Sequence, residues 1–506
     1  MVKANFNLFS FKLFFDFFRK LKIKKLYIFF FAFLFLRIIL CFCYGTQDME
    51  WWKAWTVDIV KNGITNVYGA SDNEIIKEYK DGNTKSDILL KTQKIIHYNP
   101  KNYTRLEYKV TQPPIYVYTL YIAGNLYKSI SHTLINSRLF NFFINLIPIL
   151  FSILTVYIIY MFIKSTFNHD TAILTASIYW LSPLVLLNSP IQGYFDPLIT
   201  FFVSASVVLL YKKQLTWSYI FLVLGILSKP TAIIVFPVFL GIGLKEHSIK
   251  KNIIAWLISV VTVLIVIFPF IFNGRVLSMF QGVWSINESS QDLSRQSMNL
   301  WWVIQYGYHA IHNLTSIGSK ASAIMGGPGS NWESDIPCIL LNNLLGFNVQ
   351  IIGLILLGLF TILNLWYISV NLYTKRNVIF IASGLQIYAY FILRVGVQAN
   401  HYFVLIPLFA IVSLFSIKEF KYYILISFIF FIQDLIFYGL GRDFNHGKQL
   451  LTLFYSGWFS NILALANVVL FIWICFKEFS PCFQIKTKNN RHIKRLMTNS
   501  KVSNEK

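Results

Sequence analysis

Charge is what this chain has least of. Asp, Glu, Lys and Arg make up 13% of its 506 residues, against about 25% in a soluble domain. Acids are the scarcer sign, 22 against 45 cations, so each carboxylate in an otherwise apolar stretch carries more information than a lysine does. Cysteine is sparse too. The five residues (Cys41, Cys43, Cys338, Cys475 and Cys482) have no metal or redox spacing, which argues against a zinc ribbon or a disulfide framework. There is no GxxxxGK[ST] or GxGxxG loop and no HExxH run, so the usual nucleotide cradle and the usual metalloprotease site are excluded. No internal repeat is visible. Residues 26–44 are long enough to span a membrane and no small-residue cleavage site follows, so we expect no cleaved leader.

What is present is apolar and aromatic. Hydrophobic residues make up 56% of the chain, and Phe, Tyr and Trp 18%. This is the composition of an all-α polytopic membrane protein, because helices satisfy their own backbone in lipid. The apolar runs predict about twelve transmembrane helices: 26–44, 138–163, 170–189, 197–211, 215–228, 231–244, 252–272, 349–372, 377–395, 402–417, 420–440 and 457–476. An even count puts both termini on one side. Lys212-Lys213, Lys245 with Lys250-Lys251, Lys375-Arg376 and Lys418 with Lys421 then share the side of the basic ends, 1–25 and 477–506. The positive-inside rule makes that side cytoplasmic. The cation excess thus reads as topology and attraction to anionic lipid rather than nucleic-acid binding. The transmembrane domain is 26–476, with long outer loops at 45–137 and 273–348. Residues 113–131 are apolar enough to span, but a thirteenth span would move the cations outside. We therefore expect 113–131 to lie along the outer leaflet, 47–62 to form an amphipathic helix there, and 1–25 to form a basic interfacial helix on the inner side.

Candidate functional residues gather at the outer edge. Asp48 and Glu50 stand beside Trp51, Trp52 and Trp55 directly after the first span, and tryptophan favours that interface. A carboxylate held there can act on a substrate whose tail lies in the bilayer. Asp196 sits in the short outer loop from Ser189 to Pro197. Lys229 lies in Leu227-Ser-Lys-Pro230, where proline breaks a helix and frees backbone groups. Arg394 and His401 fall between the ninth and tenth spans. Arg37 lies inside the first span, where a charge either snorkels or has a partner. Tyr116 and Trp301 add aromatic faces. Aromatic faces with carboxylates suit sugars, and cations suit a phosphate at headgroup depth. Plainer readings stand beside these. Asp48 and Asp196 are also good helix starts, Lys229 can snorkel, Trp301 and Trp302 can be belt anchors, and Asp434 reads as structural. A transporter would place polar groups near the midplane and often has paired halves, so the outer-edge placement favours an enzyme.

Five motifs in this order carry a resemblance: Gln47-Asp48-Met-Glu50, Pro113-Pro-Ile-Tyr116, Gly193-Tyr-Phe-Asp196, Leu227-Ser-Lys229-Pro230 and His401-Tyr-Phe. Together they resemble the GT-C glycosyltransferase superfamily. They are most similar to bacterial polyprenyl-phosphate-sugar-dependent transferases of the mannosyltransferase-like type. The resemblance covers residues 26–245 well and 377–417 loosely. It implies a GT-C fold and an inverting transfer of a sugar from a polyprenyl- or dolichyl-phosphate donor to a glycan, lipid or protein acceptor. By the same resemblance Asp48 is the catalytic carboxylate, and Arg394 and Lys229, with Arg37 as a further candidate, steady the departing phosphate. Glu50, Trp51, Tyr116, Asp196 and His401 would line the substrate site. Asp196 would orient the acceptor or hold a divalent cation, as in the oligosaccharyltransferases; no other cofactor is implied. The membrane would be the cytoplasmic membrane of a bacterium, or the endoplasmic reticulum in a eukaryote. The chain departs from the pattern at Gln112, where an aromatic usually precedes the two prolines, and in a long insertion before them. The alternatives are a lipid-linked sugar flippase or transporter and a glycan polymerase.

Overall fold

The computed structural model describes residues 23–46, 48–68, 110–289, 292–295, 297–315, 338–440 and 457–503. Among them every extended element is helical, and the one strand-like feature is an isolated bridge between Arg295 and Gln398. The expected interfacial helix over 1–25 lies almost wholly outside the described residues, as do 69–109 of the first outer loop and 316–337 of the second.

Helices stand at all twelve apolar runs. In chain order the elements are α1 (Ile23–Leu40), α2 (Asp48–Asn62), α3 (Pro114–Ser131), α4 (Arg138–Thr166), α5 (His169–Trp180), α6 (Pro183–Leu186), α7 (Asp196–Tyr211), α8 (Leu215–Ile226), α9 (Phe236–Glu246) and α10 (Ile249–Phe272). Then follow α11 (Val276–Ser289), α12 (Leu300–Thr315), α13 (Cys338–Leu345), α14 (Val349–Asn371), α15 (Val378–Leu393), α16 (Leu405–Val412), α17 (Ile417–Tyr438) and α18 (Gly457–Ser503). Their starts follow from local chemistry. Ser137, Asn168, Ser248, Asn348 and Ser416 each accept a backbone N–H of the first turn, filling donors that a helix leaves unpaired. By length and apolarity, five described helices can cross a membrane: α4, α10, α14, α17 and the Trp458–Cys482 part of α18. A bent pair, His169–Trp180 with Pro183–Ile191, makes a sixth. α7, α8, α15 and the Tyr27–Leu40 and Ala399–Val412 stretches are apolar but shorter.

Three expected helices differ in detail. The run 170–189 is bent by 53° at Leu181–Ser182, because Pro183 cannot donate to the preceding turn, and Leu187–Ile191 closes as a π turn around Pro190. The run 231–244 begins as a 3₁₀ turn, Pro230–Val235, before α9. The first helix ends at Leu40, so Cys41 and Cys43 lie in a buried turn rather than in the span.

Charges gather the loops at one end of the bundle. Arg376 pairs with Glu246 at 2.5 Å and donates to the Tyr211 carbonyl at 2.7 Å. Lys418 pairs with Glu478 at 2.5 Å. The helices that leave this end (α8, α15) or arrive at it (α7, α9) therefore put Asp196, Lys229 and Arg394 at the opposite end. There a separate apolar cluster joins α2, α3, α4 and the start of α7 through Met49, Trp52, Tyr116, Phe140, Tyr194 and Phe195.

Candidate functional site

The site begins with a turn. The backbone N–H of Thr46 donates to the Gln192 carbonyl at 2.9 Å, which brings the start of α2 against the loop ahead of α7. Gly193 has φ +78°, and a Cβ there would lie 2.5 Å from Met49 Cε and 3.0 Å from Asn145 Oδ1. A side chain would meet both the left-handed backbone penalty and a filled space. The close approach sets Asp48, at the start of α2, beside Tyr194 and Asp196. A second tie, Ile115 N–H to the Leu227 carbonyl at 3.0 Å, fixes the start of α3 against the helix break that carries Lys229.

Asp196 and Lys229 form an ion pair at 2.7 Å, with Asp196 buried and Lys229 part-exposed. Asn188 Nδ2 donates to the other Asp196 oxygen at 3.2 Å. Asp48 is exposed to solvent yet crowded by neighbouring protein atoms. That crowding pushes its carboxyl upward. The positive charge of Lys229 opposes the rise, Asp196 adds to it, and a hydrogen bond from Tyr194 opposes it again. Burial also holds the Tyr194 and Tyr116 hydroxyls well above their ordinary range, so both remain donors. The apolar wall is aromatic: Trp52 meets Phe195 edge-on at 5.1 Å, and Tyr116 lies 4.6 Å from Phe195.

Cations gather on the far side of Lys229. His401 feels both Lys229 and Arg295, and its Nδ1 is buried without a partner. The Tyr390 ring lies 6.1 Å from that of His401 and interacts with Arg394. Arg295 arrives from the second outer loop. Gly396 N–H donates to the Leu293 carbonyl at 3.2 Å, Ser297 Oγ to the Val397 carbonyl at 2.5 Å, and Arg295 bridges to Gln398.

Of the residues singled out from the sequence, Asp48, Tyr116, Asp196, Lys229 and His401 converge, with Arg394 one ring away. Four do not join them: Arg37, Glu50, Trp51 and Trp301. Arg37 is wholly buried and donates to the Trp180 and Val185 carbonyls at 2.7 and 3.2 Å, with its guanidinium over the Trp180 ring. It supplies donors to carbonyls at the α5–α6 bend. Glu50 turns into the core, where it pairs with Lys53 at 2.8 Å beside Asn136. Trp51 is half-buried, and its neighbour Trp52 takes the wall position instead. Trp301 and Trp302 are buried, donating through Nε1 to the Leu393 carbonyl and to Ser460, so they are packing anchors. Trp52 was legible, since it lies four residues after Asp48 and hence on the same helix face. Asn188 and Arg295 had no comparable local signal.

The acid–lysine pair also bears on a metal. Both Asp196 oxygens are engaged by Lys229 and Asn188, and among the described residues no three His, Cys, Asp or Glu side chains converge as a ligand set. The donor set does not fit a divalent ion on Asp196, and no step below passes through one.

Residues 124–272, under a third of the chain, match the family model described as dolichyl-phosphate-mannose-protein mannosyltransferase. The resemblance to the GT-C glycosyltransferases is borne out over this stretch, which supports an integral membrane glycosyltransferase. The match runs from within α3 to the last residue of α10. It includes Asn188, Asp196 and Lys229 and leaves Asp48, Arg394 and His401 outside. No curated protein matches the chain.

Proposed function

We propose that the chain is an inverting glycosyltransferase. It moves a sugar from a polyprenyl-phosphate donor of the dolichyl-phosphate type to a glycan, lipid or protein acceptor on the extracytoplasmic face. One observation carries the reading: a solvent-reaching carboxylate, Asp48, stands beside an acid–lysine pair and an aromatic wall at one end of an apolar bundle. The sidedness rests on charge, because the opposite end holds Lys212, Lys213, Lys245, Lys375 and Arg376 and is the cytoplasmic one by the positive-inside rule. Helices at all twelve apolar runs support twelve crossings.

The chemistry then follows from the groups present. Asp48 takes the proton of the acceptor hydroxyl, a general-base contribution of about 10²–10⁴-fold. Its raised carboxyl makes it a stronger base than an open-surface aspartate. The acceptor oxygen attacks the anomeric carbon. The bond from that carbon to the phosphate oxygen breaks, and its electron pair leaves with the phosphate. Lys229, with His401 and Arg394 behind it, meets the negative charge that develops there, the role in which fixed electrostatics contribute most. Tyr116, Trp52 and Phe195 offer faces to the sugar.

The test is release of polyprenyl phosphate by the purified protein in lipid, with a panel of polyprenyl-phosphate sugars and cell-envelope glycans. Release that is lost in a folded Asp48→Asn variant supports transfer with Asp48 as base. Release that survives in Asp48→Asn moves the base elsewhere. No release with any donor, together with movement of lipid-linked sugar across the bilayer, replaces the enzyme with a transporter.

A further inference from the structure

The mechanism leaves one buried acid unused. Asp434 lies in the last turn of α17, wholly buried, and neither carboxyl oxygen has a hydrogen-bond partner of good geometry. Among the described residues no basic side chain pairs with it. A buried acid with no cation beside it is less stable than an apolar residue of the same volume. A leucine would serve α17 better if packing were all that mattered.

What Asp434 faces is the loop that presents Asp196. It sits beside Asn188 and Tyr402. Asn188 is itself wholly buried, donates one N–H to Asp196 Oδ2 at 3.2 Å, and keeps a buried Oδ1 without a partner. Gln192, four residues further along the same loop, donates Nε2 to the carbonyls of Asp434 and Gly439 at 3.3 and 3.0 Å. Tyr194 packs on Tyr438 at 5.0 Å. The end of α17 is thus fastened to residues 188–194 at three points, and the one that reaches Asp196 runs through a single asparagine amide.

We propose that Asp434 and Asn188 form a buried clamp that fixes the Asp196 carboxylate against Lys229, which makes Asp434 a positioning residue. An asparagine amide has two N–H groups and one carbonyl. With one N–H on Asp196, its rotation is set by whatever accepts from the remaining N–H, and the Asp434 carboxylate is the group placed to do so. Removing the carboxyl frees the amide to turn, and Asp196 loses the donor that holds its second oxygen. Misplacement of a reacting group by about 1 Å can cost 10²-fold in rate, so the clamp has a functional return that packing lacks.

The consequence for catalysis rests on the transferase reading; the clamp itself does not, so its test reads structure first. The full chain in lipid nanodiscs is treated with an amine-acylating reagent, and modification of Lys229 is followed by mass spectrometry relative to Lys245 at the other end. In Asp434→Leu, Lys229 labels about threefold faster or more, since reactivity tracks local opening, while the thermal midpoint is unchanged or higher. Asp434→Asn, which still bonds to an amide, labels as the unaltered protein does. Asn188→Leu reproduces the Asp434→Leu rise and serves where that variant does not fold. An unchanged Lys229 rate in the folded leucine variants, or an equal rise in Asp434→Asn, overturns the clamp. If the transferase assay is active, kcat in Asp434→Leu falls about tenfold or more with donor KM unchanged. Absence of transfer in the unaltered protein bears on the function and leaves the labelling result standing.

Discussion

Replacing Lys229 with methionine separates what the ion pair does for the fold from what it does for chemistry. The pair is 2.7 Å long, with the Asp196 carboxylate 4% exposed and the lysine 19% exposed. Breaking a fully buried pair by removing one partner costs about 3–5 kcal/mol. Water already screens part of Lys229, so the expected cost is lower, about 2 kcal/mol. For a chain of 506 residues that lowers a thermal midpoint by roughly 2 °C. Adding Asp196→Asn removes the stranded charge, and the double variant should recover about 1–2 kcal/mol relative to the sum of the singles. Turnover behaves differently. If Lys229 meets the charge of the leaving phosphate, Lys229→Met loses about 10²-fold or more in kcat, and the double variant regains none of it. The assay is polyprenyl-phosphate release beside intrinsic-fluorescence melting of the same preparations. Strictly additive stabilities would show that the pair is not coupled in the fold. Turnover restored in the double variant would show that Lys229 acts only by neutralising Asp196.

Three further outcomes are expected. The base must be ionised to work, so turnover falls as pH drops through the Asp48 pKa; because enclosure raises that carboxyl, the acid limb of kcat/KM lies above the ordinary aspartate value of about 3.9. Lys229→Met moves this limb further up, since the lysine charge opposes the rise, and a limb at or below the ordinary value contradicts the enclosure. Gly193→Ala should cost about 1–2 kcal/mol for the left-handed backbone and about 1–3 more for overpacking on Met49 and Asn145, whereas Gly274→Ala, at φ +65° with nothing within 4 Å, costs only the backbone part; equal melting of the two variants refutes the close approach. Arg37→Met should lower stability by about 2 kcal/mol through the lost carbonyl bonds while the donor KM of the folded fraction stays unchanged, and a raised KM would return Arg37 to the phosphate.

How far the site was readable depended on whether a residue's role is local. Asp48, Asp196 and Lys229 each mark a helix end with a charge, and helix ends in an apolar chain are visible as interruptions. Their convergence followed from counting spans and keeping the lysine pairs on one side. The bends were half-legible. Pro183 and Pro230 announce a break, but the π turn that carries Asn188 depends on how Pro190 is seated among its neighbours. Arg37 was misread because its partners are main-chain carbonyls, which have no sequence signature. Glu50 was misread because an acid two residues from Asp48 faces the other side of the helix, and only the position of Lys53 shows that this side is core. The surroundings of Arg295 and Asp434 are not readable for a third reason: each meets its neighbours across more than 60 residues of sequence, Arg295 at Gln398 and Asp434 at Asn188.

The two ends of the bundle differ in where their unpartnered polar groups gather. At the basic end two acids are paired, Glu246 by Arg376 and Lys213, and Glu478 by Lys418, Tyr367 and Tyr422. At the other end Tyr116, Asn188, Gln192, Arg394, His401 and Asp434 each keep a buried polar atom without a partner. Native proteins satisfy the great majority of such atoms. Unpartnered atoms occur at the basic end as well, on Glu419, His247 and Asn252, so what distinguishes the other end is that its open groups lie around Asp48, Asp196 and Lys229. Groups held open in this way are spent where a substrate completes them. The mixture left open, a tyrosine hydroxyl, amide oxygens, an imidazole nitrogen and an arginine N–H near the Asp48 carboxylate, is what the proposed transfer from a sugar phosphate would use.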